Sequence, residues 1–184
     1  MGMATSAQLI TMILQKFRDQ SSAQLITMIL QKFRDQYGES LLSKILWIFR
    51  RIMFFARSWF FDIQYYSISL EELQEALEKW KEYVLDNIQY LPEIFDCDDF
   101  AMYFKTWLQS YVMQEMDKPF NGVGVAIGYV VEDGKLLGGH AWNIVLVDTD
   151  EGTKIVYVEP QLGEYFFGDT SSDGFTYTLQ AVII

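Results

Sequence analysis

Gly138-Gly139-His140-Ala141-Trp142-Asn143-Ile144-Val145-Leu146-Val147-Asp148, then Thr149-Asp150-Glu151-Gly152, then Thr153-Lys154-Ile155-Val156-Tyr157-Val158-Glu159-Pro160-Gln161, reads as one β-hairpin. Apolar and β-branched residues fill both arms, and the acidic cluster ending in glycine supplies the turn. That cluster lacks the twelve-residue pattern of a calcium loop, so it reads as a turn alone. Strand-like segments cover Val123 to Val131, Ala141 to Asp148, Lys154 to Glu159 and Thr176 to Ile183, with further turn signals at Glu132-Asp133-Gly134 and Ser172-Asp173-Gly174. Before Pro119 the periodicity is helical. Ser69 with Glu72 forms a capping-box pattern that predicts a helix to about Ile88, and Asp96 with Asp99 does the same for Cys97 to about Met116. Helices first and antiparallel strands after predict an α+β fold.

The chain has 184 residues, of which 51% are hydrophobic and 16% aromatic, enough for a cored domain with an appendage. One cysteine and one histidine exclude an internal disulfide and a Cys/His structural zinc site. The net charge of −11 is unevenly spread. Residues 1–62 hold eight basic side chains against four acidic ones, whereas the remainder holds six lysines, no arginine and 21 acidic residues. An acidic, arginine-free body is unsuited to phosphate contacts, so nucleic acid is not an expected partner. No signal peptide is evident. The apolar run 41–61 contains Lys44, Arg50, Arg51 and Arg57, too costly for a membrane span, and reads as a core helix in preference to a membrane-surface contact. A cytoplasmic location is the default expectation.

Ser6 to Gln20 reads SAQLITMILQKFRDQ, and Ser22 to Gln36 repeats it without a change. Each copy is an amphipathic helix by its spacing, and perfect identity indicates a recent or artificial duplication, since a solenoid needs three or more units. Residues 1–36 are therefore expected to be a duplicated helical segment through which copies of the chain could associate. Residues 37–184 are expected to be the functional domain.

Three residue types in this order carry chemistry. Cys97 lies at the first turn of a helix, where backbone N–H groups and the helix dipole favour thiolate, although Asp96, Asp98 and Asp99 oppose it. His140 and Glu159 lie on the two arms of the hairpin, opposite or diagonal to one another on one face. Nucleophile, base and orienting acid are the minimal set for thiol catalysis.

The motifs Phe95-Asp96-Cys97-Asp98-Asp99-Phe100-Ala101, Gly139-His140-Ala141-Trp142-Asn143 and Val158-Glu159-Pro160-Gln161 resemble those of papain-like and transglutaminase-like thiol hydrolases. The likeness is nearest to the C-terminal cysteine-protease domain of fungal agglutinins of the Marasmius oreades type. It implies a papain-like fold and a cysteine peptidase cleaving peptide or isopeptide bonds. Cys97 would be nucleophile, His140 base, Glu159 orienter and Gln161 a polar site residue. It also implies activation by calcium or manganese, with Asp98 and Asp99 as ligands. An upstream glutamine for an oxyanion hole would be Gln89. Those agglutinins carry a sugar-binding β-trefoil ahead of the domain and this chain has a basic helical segment there, so the resemblance does not imply carbohydrate binding. Two alternatives stand beside this expectation: a transglutaminase-like acyltransferase or deamidase on the same triad, and a non-catalytic helical protein that binds a membrane or a partner.

Overall fold

The structure, a computed structural model, describes residues 53–184 except 55 and 63. The duplicated segment and most of the expected helix at 41–60 lie outside the described residues. The first strand, β1 (Ile68–Ser69), leads directly into helix α1 (Leu70–Trp80). Ser69 Oγ accepts the Glu72 N–H at 3.1 Å and Glu72 Oε2 accepts the Ser69 N–H at 2.9 Å, so two otherwise orphaned donors are satisfied. The helix is shorter than expected because its end widens into a π-helical turn, Lys81–Leu85. Over that turn lies Gly163, at φ +63°, where a Cβ would come within 2.8 Å of the Lys81 side chain.

Helix α2 (Cys97–Glu115) is capped the same way by Asp96 and Asp99 and buries Phe100, Ala101, Phe104, Leu108 and Val112. Trp80 locks the two helices together. Its ring lies 5.0 Å from Phe104 and 5.2 Å from Trp107, and its Nε1 donates to Pro160 O at 2.7 Å.

The remaining strands are β2 (Val123–Glu132), β3 (Lys135–Thr149), β4 (Gly152–Glu159), β5 (Glu164–Phe166) and β6 (Thr176–Ile183). They form a sheet in the order β5-β4-β3-β2-β6, antiparallel throughout, with β1 added parallel to β3 at Val147 and Asp148. Since β2 leaves β3 at Val145, β1 continues the ladder beyond it. The outer side of β6 is also covered: Trp59 N–H donates to Val182 O and Ile184 N–H returns to Trp59 O.

Two apolar layers hold the sheet. On one face α1 and α2 cover Val123, Val145, Val147, Val156 and Val158. On the other, Trp142, Ile144, Leu146, Tyr157, Tyr177 and Leu179 pack with Phe54 and Tyr65. Trp142 fits because β2 has Gly128 beneath it; a Cβ there would stand 2.8 Å from the indole and 1.9 Å from Thr178 O.

The expectation of a papain-like fold, with N-terminal helices followed by an antiparallel sheet, is corrected by this architecture. Strand β1 runs parallel to its neighbour β3, so the sheet is mixed, and α1 and α2 both serve one face of a single six-stranded sheet. The helical and strand periodicities could be read locally. The strand order could not, because pairing partners far apart in sequence leave no periodic trace.

Candidate functional site

His140 lies within β3, not ahead of it, and Glu159 ends β4. The register pairs Asn143 with Val158, which sets Glu159 diagonal to His140 on the same face. His140 Nε2 meets Glu159 Oε2 at 2.6 Å. Tyr177 Oη, from β6, donates to the same oxygen at 3.1 Å, and the Gln161 N–H donates to Glu159 Oε1 at 3.3 Å. An ionised carboxylate only accepts, so this pairing assigns the ring proton to Nε2. Nδ1 makes no hydrogen bond among the described residues. The His140 ring stacks 6.1 Å from Trp142.

Tyr177 is the site residue that sequence reasoning missed. Its strand was legible, but its approach to Glu159 depends on β6 adding beside β2, which no local pattern announces. Burial, then the charge of Glu159 and the hydrogen bond to it, push its hydroxyl far above the ordinary value, so it stays a donor.

Beside this group lies a pocket of about 350 Å³, with Val130, Leu137, Leu162 and Phe175 as apolar walls and Gly138 and Gly139 on the β3 side. Gln161 lines it as well, and its Nε2 is buried with no hydrogen-bond partner. A Cβ added at Gly138 would meet nothing within 4 Å among the described residues.

Cys97, at the start of α2, reaches the sheet at Ala141, the neighbour of His140 in β3. Its side chain packs with Ala101, Val125 and Ala141, and the His140 ring packs with Trp142 and Tyr177. No hydrogen bond joins Cys97 Sγ to His140 among the described residues. Burial pushes the thiol up; the Ala141 and Asp98 N–H groups lower it, and the charges of Asp96 and Asp98 raise it.

The cation ligands expected at Asp98 and Asp99 fare differently from one another. Asp99 Oδ2 accepts the Asp96 N–H at 3.3 Å in the capping box. Ligand atoms of Asp96, Cys97 and Asp98 lie within 4.8 Å of one another. Asp98 is pushed up, chiefly through its hydrogen bond with Asp96 and then by burial. For calcium or manganese the fitting donors are the carboxylates of Asp96 and Asp98, while the thiol is too soft a ligand for calcium. Gln89 is not among the residues that line the pocket.

Against known proteins, residues 65–165, more than half of the chain, match the family described as "Agglutinin C-terminal". No curated protein matches significantly. Among solved structures, the chain is similar to one described as "PSL1a-E64 complex", at 22% identity over 65% of this chain and 39% of that one, with a TM-score of 0.45. A second is Polyporus squamosus lectin, described as bound to a human-type influenza-binding epitope, Neu5Acα2-6Galβ1-4GlcNAc, at 21% identity, the same coverages and a TM-score of 0.42. The chain spans about two fifths of the length of these structures.

The match corrects the resemblance drawn from three short motifs. It carries agglutinin membership and not the papain-like or transglutaminase-like identity expected from them. The cysteine-peptidase activity and its acyl-transfer alternative, drawn from the same motifs, are corrected with it. What the sequence, the sheet and the match share is one assignment: the chain belongs to the Agglutinin C-terminal family.

Proposed function

We propose that the domain is a non-catalytic ligand-binding module whose pocket beside His140 takes a carbohydrate. This reading replaces the peptide or isopeptide substrate expected from the motifs. The related lectin described with a glycan epitope supports the ligand class, and the observation that carries the site is the pocket itself. It pairs apolar walls with a few convergent polar groups, and its size falls in the range of about 300–1,000 Å³ usual for small-molecule sites. The unpartnered Gln161 Nε2 would cost stability if left unsatisfied, and a sugar hydroxyl would satisfy it. Phe175, half-buried at the pocket wall, offers aromatic surface for the apolar face of a pyranose. From residue 63 onward the chain carries 21 acidic side chains against six lysines, so a neutral sugar suits the domain better than an anionic one.

Calorimetric titration tests this with Galβ1-4GlcNAc and its sialylated form. The neutral disaccharide should bind saturably and at least as well as the anionic trisaccharide. Gln161→Ala and His140→Ala should each weaken it by about five- to twentyfold, or 1–2 kcal/mol, while Cys97→Ala leaves it unchanged. Absence of binding to any sugar on a neutral and sialylated glycan array would overturn the ligand class. Proteolytic turnover abolished by Cys97→Ala would overturn the non-catalytic reading itself.

A further inference from the structure

Glu159 is 5% exposed and is held by three hydrogen bonds, one of them from a residue the hairpin does not contain. We propose that Tyr177 is a positioning residue for the pocket: its hydroxyl fixes the Glu159 carboxylate, which fixes the His140 ring with Nε2 on Glu159 and Nδ1 left as the acceptor for a bound hydroxyl. The presentation of Nδ1 to a sugar rests on the binding function proposed above; the fixing of the ring does not.

The geometry separates the hydroxyl's role from the ring's. The ring of Tyr177 packs 5.2 Å from Trp142 and 5.0 Å from Phe166, which is core packing and would survive loss of the oxygen. The hydroxyl spends its proton on Glu159 Oε2, the same atom that takes the imidazole Nε2. Without it the carboxylate keeps, among the described residues, only the Gln161 N–H on its other oxygen and the imidazole itself, so it gains freedom to rotate away from the ring. Hydrogen bonds to a carboxylate are among the stronger ones in proteins, so this loss should reach the ring's own hydrogen bond.

His140 is the only histidine, so its ring N–H resonance needs no assignment among rivals. In the full chain this proton should appear far downfield and exchange slowly with water, as a short charge-assisted bond requires. Glu159→Gln should abolish that signature. Tyr177→Phe, which keeps the ring, should retain the circular dichroism of the fold yet accelerate exchange by threefold or more and move the resonance upfield. It should also weaken Galβ1-4GlcNAc binding by about three- to tenfold. An N–H shift and exchange rate in folded Tyr177→Phe equal to the parent's would overturn the proposal. If exchange accelerates while neither protein binds the disaccharide, the ring-fixing role of Tyr177 is supported and the carbohydrate reading fails by itself.

Discussion

Burial removes water from the Cys97 sulfur, and Asp96 and Asp98 add to the cost of charging it, against the backbone N–H groups of Ala141 and Asp98. The first of these dominates, so the thiolate fraction at neutral pH is below that of a free cysteine. Iodoacetamide should therefore alkylate Cys97 at pH about 7.5 more slowly than a model thiol of pKa about 8.5. A rate equal to or above the model thiol's would show that the helix terminus outweighs burial. At this scale the pairing of His140 with Glu159 could be read in advance, because a hairpin with a turn near Asp150 leaves few registers. The state of Cys97 could not, since the same N-terminal position offers amides that lower its pKa and carboxylates that raise it. Only the burial decides between them.

The helix starts were legible at Ser69 and Asp96 because capping is local chemistry. So was the end of α2, expected near Met116 and found at Glu115, whereas the π-helical end of α1 and the short strands β1 and β5 were not, since a two- or three-residue strand has no period to detect. The first turns of the two helices also differ in their response to acid. Glu72 is held below the ordinary 4.5, first by its hydrogen bond with Lys118 and then by the Ser69 N–H. A depressed carboxylate stabilises the fold above its ordinary pKa and loses that contribution as pH falls through its folded value. Asp98 is raised, so its charge opposes the fold as pH rises through its own folded value. Glu72→Gln keeps the capping geometry but loses the ion pair. It should cost about 0.5–1 kcal/mol in urea unfolding at pH 6 and markedly less at pH 3. A cost that stays the same at both pH values would mean that the Lys118 pairing contributes nothing.

On the scale of the molecule, the sheet joins segments that the sequence keeps far apart. Ser58 Oγ accepts the Val182 N–H across 124 positions, and Ile184, 2% exposed, completes the layer around Trp142 and Tyr177. Ile184→Ala removes buried methylene and methyl groups from a packed layer, and equilibrium unfolding should record a loss of about 2–4 kcal/mol. A loss below about 1 kcal/mol would show that the layer closes over the gap. Among the described residues no helix is long and apolar enough to cross a membrane.

The place of β6 beside β2 also sets an order of events during synthesis. β2 is made about fifty residues before the strand that covers its second side, and β3 can pair with its first side at once. Until residues 176–184 emerge from the ribosome, β2 presents an open ladder edge with Val125 and Ile127 along it. At translation speeds of about 5–20 residues per second, that exposure lasts a few seconds. A nascent domain of this kind is therefore most open to wrong strand pairing just before it is finished, and a stalled ribosome prolongs that interval.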